Sequence, residues 1–246
     1  MDSVTASERT AMTGVERQPE FTNAEPKTAG YYLETRPDIQ ALVDARGKRV
    51  LDVGCAAGEL GRAFKQAGAL EVAGIERSVE AAAQARKLLD RVFVSDVENA
   101  SLPLEDETFD WIIFADVLEH TIDPWTALAV YRRYLKSDGR VVASIPNVRF
   151  YSVIARLIFN RWGYRESGIL DSTHLRFFTL PTIRDMFEQA GLEIERVERK
   201  YRLFEDQSRI GRLGATVSRL FCRFIAPLIA PHFFTFQYLI VAKKQK

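Results

Sequence analysis

The segment Val50 to Gly61, VLDVGCAAGELG, constrains the fold more than any other stretch of this 246-residue chain. It opens with an apolar run of the kind that forms a buried strand, ends that run at Asp52 and Gly54, and continues through small residues to Gly58. Glycine lets backbone approach a ligand where a side chain would block it. The helix expected to start at Glu59 offers unsatisfied N–H groups to an anionic or carboxylate-bearing partner. Strand, tight turn and helix in this order make the opening unit of a parallel α/β sheet.

The rest of the chain repeats the alternation. A short helix is expected over 36–45, with Pro37 in its first turn. Strands are expected over 48–53, 70–75, 91–94, 109–114 and 140–145, and helices over 59–66, 79–89 and 123–135. Ser137-Asp138-Gly139 is read as a turn into the fifth strand. Strands separated by helices of about ten residues imply βαβ units with right-handed crossovers, and so one shared edge for strand ends and ligand. The second half adds helices over 149–162, 180–189 and about 208–226, and strands over 192–201 and 234–242. The fold class expected is therefore α/β: a Rossmann-like, seven-stranded, mostly parallel sheet with helices on both faces and helical insertions after the fifth and sixth strands.

Composition narrows the function classes. Hydrophobic residues at 47% and charged residues at 27% fit a globular chain with a sizeable core. A net charge of +1 gives no global attraction to nucleic acid, so no such partner is expected. Cys55 and Cys222 lack ligand spacing. No disulfide framework and no metal site is expected, and a reducing, cytoplasmic compartment is the natural reading. Met1 to Thr28 is polar and has no signal-peptide pattern, so residues 1–30 read as a flexible lead-in. Residues 31–246 read as one domain, with a cofactor half over about 48–147 and an acceptor or lid half over about 148–246. The uncharged run from Phe224 to Ala242 approaches the length of a membrane span, but Pro227 and Pro231 favour a broken helix followed by a strand.

Two ligand classes use a turn like that after Asp52. The dinucleotide fingerprint G-x-G-x-x-G would put Ala56 at its second glycine and Glu59 at its third, and Glu59 would set a negative charge beside a pyrophosphate. The alternative spacing, D-x-G-x-x-x-G, is met by Asp52, Gly54 and Gly58. This resembles the first motif of class I S-adenosylmethionine-dependent methyltransferases, with Ala56 where that family usually has a further glycine. The resemblance continues at later strand ends. Glu76 can accept hydrogen bonds from both ribose hydroxyls, and Asp96 in VSDVEN matches the acidic residue that holds the adenine amino group. ADVLEHTIDP from Ala115 is similar to the motif beneath the methionine, and LKSDGRVVASIPN to the next signature. The cofactor implied is S-adenosyl-L-methionine. The expected cofactor-binding set is Asp52, Gly54, Cys55, Ala56, Gly58, Glu76, Arg77, Asp96, Val97 and Ala115. Taken singly, Asp52 would merely cap a turn, Glu76 lead a helix and Asp96 begin an Asx-turn. Their order along successive strands is what favours the ligand reading.

The methyl group arrives on an activated sulfonium, so alignment supplies most of the rate, and a hydroxyl acceptor also needs a base. His174 lies in GILDSTHLRFFT, where this family inserts acceptor-binding elements, with Asp171 placed to orient its ring. His120 follows the fourth strand. His174, His120 and Asp171 are the candidate catalytic residues, each also readable as a structural tie, and His232 is expected to be incidental. DSTHLRFFT, with PNVRFYSVIARLIFNRWGY before it, is similar to a bacterial subgroup associated with cell-surface glycan assembly. The LEH triplet is shared with ubiquinone-biosynthesis O-methyltransferases. Both resemblances favour oxygen as the acceptor atom, on a small-molecule, sugar or lipid-linked acceptor. Tyr31, Tyr32 and Arg36 precede the core and would close over the cofactor. Segments 149–162 and 208–230 place arginines beside apolar stripes, which suits either a lid or dimer face packed on the core or peripheral contact with an anionic membrane surface. A non-catalytic, cofactor-binding regulator of the same fold is the rival to an enzyme.

Overall fold

The computed structural model describes residues 35–98, 102–204 and 212–245. The lead-in over 1–30, Tyr31, Tyr32 and the start of the helix expected from residue 208 lie outside those residues. Seven strands form one sheet in the order β3-β2-β1-β4-β5-β7-β6: β1 Arg49–Val53, β2 Glu71–Glu76, β3 Arg91–Val94, β4 Phe109–Ala115, β5 Leu135–Pro146, β6 Leu192–Tyr201 and β7 Thr235–Lys244. β1 to β5 pair in parallel, and β7 lies antiparallel between β5 and β6. The strand order reverses between β1 and β4, where open α/β sheets bind their ligands.

The two-residue period of the strands divides the core. Leu51, Val53, Ile112, Phe114, Val141 and Ala143 face one side, where they pack with Leu128 and Tyr131 of α4 (Pro124–Tyr131) and Ile183 and Phe187 of α6 (Leu180–Gln189). Val50, Val72, Ile113 and Val142 face the other, against Ile39 of α1 (Pro37–Gln40), Leu60 and Phe64 of α2 (Glu59–Gln66) and Ala85 of α3 (Val79–Ala85). Burial on both faces explains the unbroken apolar runs of the central strands.

Local differences from the sequence expectation have physical causes. The helix expected over 36–45 is only α1. α3 stops at Ala85, short of Leu89, which packs inward on Gly74: a Cβ there would lie 2.8 Å from the Leu89 side chain and 2.5 Å from the Cys55 sulfur. The helix expected to Leu135 ends at Tyr131, with a tighter turn over Arg132–Tyr134. Ser137-Asp138-Gly139 is not a turn but lies within β5. Partners step from Phe109↔Leu135 to Trp111↔Arg140, so the extra residues bulge out of the pairing. The remaining helices are α5 (Tyr151–Ile158), α7 (Arg212–Leu220), α8 (Ala226–Ile229) and α9 (Pro231–Phe234), with a π-helical turn over Phe221–Ile225. Pro227 and Pro231 fall in the first turns of α8 and α9, and no helix among the described residues is long and apolar enough to cross a membrane.

Gly58, the N-cap of α2, has φ 89°, and a Cβ there would lie 3.0 Å from the Ala85 Cα. Gly58→Ala is therefore expected to destabilise the fold by roughly 1–3 kcal/mol through left-handed strain and the α3 contact. Urea unfolding checks this, and an unchanged midpoint would show that the turn relaxes freely.

Candidate functional site

The turn after β1 is built from left-handed residues: Gly54, Ala56 and Gly58 have φ of 74°, 49° and 89°. Ala56 holds a conformation that glycine adopts without strain, so the structure puts a steric cost where the sequence departs from the family pattern. The N–H groups of Gly54 and Cys55 both donate to the Ile75 carbonyl, at 2.8 and 2.9 Å, which binds the turn to the end of β2. Glu76 completes the lock. Its carboxylate accepts the Ala56 N–H at 2.9 Å and the Ser78 N–H at 2.7 Å. A carboxylate has about four lone-pair positions, so Glu76 is held rigid with accepting capacity in reserve.

Asp52 is 1% exposed, and its Oδ2 is buried without a hydrogen-bond partner among the described residues. Burial, and then the neighbouring Glu76 charge, push its carboxyl up to about 7, against a smaller opposing pull from Arg36. Burial together with the Asp52 and Glu76 charges also drives the Cys55 thiol far up, so Cys55 is a packed thiol and no nucleophile. Glu76 pairs with Val94 across β2 and β3, and the Ser95 N–H donates to the Glu76 carbonyl at 3.1 Å. Asp96 thus stands on the same sheet edge. Its Oδ1 accepts the Glu98 N–H at 2.9 Å, which is the Asx-turn geometry. Arg77 and Asp96 are exposed, Val97 and Ala115 half-buried. All ten expected cofactor residues therefore lie at the C-terminal ends of β1 to β4.

A network not apparent from the sequence closes the other side of this edge. Arg36 is 7% exposed and sits in a left-handed conformation at the N-cap of α1. It pairs with Asp38 at 3.0 Å and also with Asp116. Asp116, with φ 57°, accepts from Ser144 Oγ at 3.0 Å and from Gln237. Lys200 reaches Asp38 at 2.8 Å. Although burial works against ionisation, Arg36 and Lys200 hold the Asp38 carboxyl well below the usual range. This mesh ties the entry helix to β4, β5, β7 and β6. Its members are spread along the chain, and only their placement at strand ends hints at it.

His120 and His174, distant in sequence, are in contact: their ring centroids are 4.7 Å apart at 73°. His120 lies in the tight turn Leu118–His120 after β4. The segment from Ile169 to Arg176 folds back onto that turn, where the Glu119 carbonyl accepts the N–H groups of Leu175 and Arg176 at 2.8 and 3.1 Å. Asp171 Oδ1 accepts from the Thr173 N–H at 2.8 Å and the Thr173 hydroxyl at 2.6 Å. Nδ1 of His174 faces the Ile169 carbonyl at 2.9 Å, so backbone takes part in holding the ring. Glu119, 1% exposed, joins the two imidazoles in one cluster. Both histidines stand out in the sequence, whereas Glu119, within LEH, carries no local mark of a buried carboxylate. His232 has a structural part: its carbonyl accepts from Asn147 at 2.9 Å, and its Nδ1 lies 3.1 Å from the Tyr238 hydroxyl.

The family profile described as "Methyltransferase domain" matches residues 29–197, more than half of the chain. A ubiquinone biosynthesis O-methyltransferase from Neisseria meningitidis is 29% identical over 164 residues, covering 63% of this chain and 68% of the relative. The mitochondrial protein of the same name from Homo sapiens is 30% identical over 175 residues, covering 67% of this chain and 47% of the relative. Among solved structures, a SAM-dependent methyltransferase from Archaeoglobus fulgidus superposes with a TM-score of 0.61 at 22% identity, covering 85% of this chain and 92% of that one. A second, from Mesorhizobium loti, gives 0.61 at 20% identity, with 85% and 96% covered. The chain belongs to the methyltransferase-domain family and has the class I, S-adenosylmethionine-dependent methyltransferase fold.

Proposed function

We propose that the protein transfers a methyl group from S-adenosylmethionine to an oxygen atom of a small-molecule acceptor, with the cofactor on the β1–β4 edge and the acceptor against the histidine cluster. The observation that carries this reading is the pair of carboxylates, Asp52 and Glu76, at one rim beside a turn of three left-handed residues. The buried, unpartnered Asp52 Oδ2 suits a ligand that brings its own donors and positive charge. Glu76, held by two N–H groups, suits a ribose diol, and Asp96 beyond it suits the adenine amino group. Gly54, Cys55, Ala56 and Gly58 would form the floor under the methionine portion, and Arg77, Val97 and Ala115 would flank the adenosine. S-adenosylmethionine supplies the methyl as a sulfonium that leaves as a neutral thioether.

The chain's own work is to align the acceptor and take its proton. Nε2 of His174 or His120 accepts the hydroxyl proton as the oxygen–carbon bond forms and the sulfur–carbon bond breaks, its electron pair remaining on sulfur. Closure of a loop over this region would keep water out. The relatives named ubiquinone biosynthesis O-methyltransferase support oxygen as the acceptor atom. A quinol-like phenol, a sugar hydroxyl or a lipid-linked glycan would each present the required group. A screen of phenols and sugars with methyl-labelled cofactor tests the reading through product mass, and failure to bind S-adenosylhomocysteine at all would overturn it together with the regulator alternative.

Glu76→Ala should weaken S-adenosylhomocysteine binding by roughly 1.5–3 kcal/mol, since it removes a charge-assisted contact to the ribose and frees the Ala56 N–H. Glu76→Gln should lose less, because it keeps a hydrogen-bonding side chain. Calorimetry giving wild-type affinity for both variants would remove Glu76 from the cofactor site.

A second reading concerns where the acceptor comes from. α5 and the α7–α8 segment leave apolar side chains in solvent: Ile158 and Phe159 are each 74% exposed, Leu228 83% and Ile229 64%. Arg156, Arg161, Arg219 and Arg223 accompany them. This exposure favours peripheral contact of segments 149–162 and 208–230 with an anionic membrane face over packing on the core, and would suit an acceptor with a lipid tail. Flotation with vesicles containing phosphatidylglycerol should recover the wild type and not Leu228→Glu/Ile229→Glu; equal recovery would reject it.

A further inference from the structure

Beyond β4 the same sheet edge carries a cavity of about 270 Å³, where the ends of β5 and β7 meet the start of α6. Leu180 and the Tyr238 ring form an apolar wall, and Arg149, Arg184, Asp185 and His232 supply its charged and polar groups. Arg199 adds a third guanidinium. It is the register partner of Tyr238 across β6 and β7, so both side chains leave one face of the sheet. Burial first, and then the charges of Arg199 and Arg149, hold the His232 imidazole below its usual range. These cations lack carboxylate partners. Arg149 lies over the Phe233 ring, 5.4 Å from its centre, and among the described residues Arg149, Arg184 and Arg199 form no ion pair. The Arg199 Nε is buried with no hydrogen-bond partner among the described residues, which leaves that guanidinium under-used.

We propose that this cavity binds the phosphate or diphosphate group of a small-molecule ligand between Arg149 and Arg184, with Arg199 adding its charge from β6. Three arginines stand against one carboxylate, Asp185, so a phosphate dianion offsets the surplus that a monoanion would leave. Planar guanidinium forks match phosphate oxygens in pairs, and the apolar wall strengthens their field. Asp185 opposes the anion itself and can accept a ligand hydroxyl beyond it. An anion in this seat favours the protonated form of His232, which then donates as well. The cavity adjoins the loop of His174. Thr179, on its wall, follows His174 by five residues, and the Val148 N–H, next to Arg149, donates to the Phe178 carbonyl at 2.9 Å. A methyl acceptor bearing a phosphate is therefore the occupant that this placement favours, a step that rests on the methyl-transfer reading.

The test titrates untagged full-length protein with sodium pyrophosphate at constant ionic strength, with S-adenosylhomocysteine present to occupy the cofactor edge. Calorimetry should give one site per chain. Arg149→Gln and Arg184→Gln should each weaken binding by roughly tenfold, whereas Arg133→Gln, exposed and outside the cavity, should not. The wild type gives a second readout that needs no variant. Of its three histidines, His232 should show the largest imidazole shift by nuclear magnetic resonance, and its titration should move to higher pH. No saturable pyrophosphate binding, undiminished binding by folded Arg149→Gln/Arg184→Gln protein, or a His232 signal that stays fixed overturns the site. A His232 shift caused by phosphatidylglycerol vesicles and not by pyrophosphate overturns the small-molecule ligand in favour of a lipid headgroup. The acceptor step is read separately: a metabolite extract incubated with methyl-labelled cofactor should yield no labelled product once phosphatase and phosphodiesterase have treated it. Labelled product that survives this treatment overturns the acceptor step alone. Absence of product from untreated extract counts against methyl transfer itself, and the pyrophosphate titration still decides the cavity.

Discussion

Asp52→Asn should make the cofactor-free protein more stable at pH 8 by roughly 2–4 kcal/mol while weakening its hold on the cofactor. The fold keeps this carboxyl at about 7, through burial and the nearby Glu76 charge, where an ordinary aspartate stands at 3.8. Between those values the folded chain binds more protons than the unfolded chain. Stability contributed by the protonated form is therefore fully present below about pH 4, falls as the pH rises toward 7, and stays lost above it. Asparagine removes that penalty, so the gain should vanish near pH 4. Arg36 keeps Asp38 and Asp116 as partners in the variant, which limits any compensating loss. The same argument predicts proton release when a cationic cofactor draws Asp52 into its ionised form. Calorimetry at pH 6.5 in buffers of different ionisation enthalpy should show heats that depend on the buffer, and Asp52→Asn should abolish that dependence. Urea midpoints for wild type and variant that run parallel from pH 4 to 8 would refute the electrostatic account of Asp52.

The parts of this protein that were legible in its sequence are those decided locally. α6 begins and ends where the sequence puts it, since Thr179 and Thr182 form a reciprocal cap at its start and Gly191, at φ 71°, stops it. The strand-end carboxylates were legible because a parallel sheet delivers every such end to one edge. What escaped the sequence depends on partners far along the chain. Ser137-Asp138-Gly139 has the composition of a turn, yet pairing with β4 on either side makes it a bulge. In the sequence Arg36 is only a neighbour of the cofactor region, because its partners Asp116 and, through it, Gln237 come from the end of β4 and from β7, much later in the chain. Glu119 was hidden by its place in LEH, where the histidine drew attention and nothing local signalled a carboxylate at 1% exposure.

His174→Ala should lower turnover by roughly 10²–10⁴-fold, the range for loss of a positioned proton acceptor, with S-adenosylhomocysteine affinity close to wild type. The ring is 8% exposed and tied to the Ile169 carbonyl, so truncation also strands a buried acceptor, at a cost of roughly 1–3 kcal/mol in stability. Rates must therefore be referred to the folded fraction, and His174→Gln, which can still donate to that carbonyl, serves as the control for packing. A structural tie predicts that glutamine restores turnover. A proton acceptor predicts that it does not. His120 sharpens the distinction, since the two imidazoles touch. If they act as one unit, His120→Ala/His174→Ala should be little slower than the worse single variant. Multiplicative losses would mean that the rings work separately, and wild-type turnover in His174→Gln would return the loop to a purely architectural role.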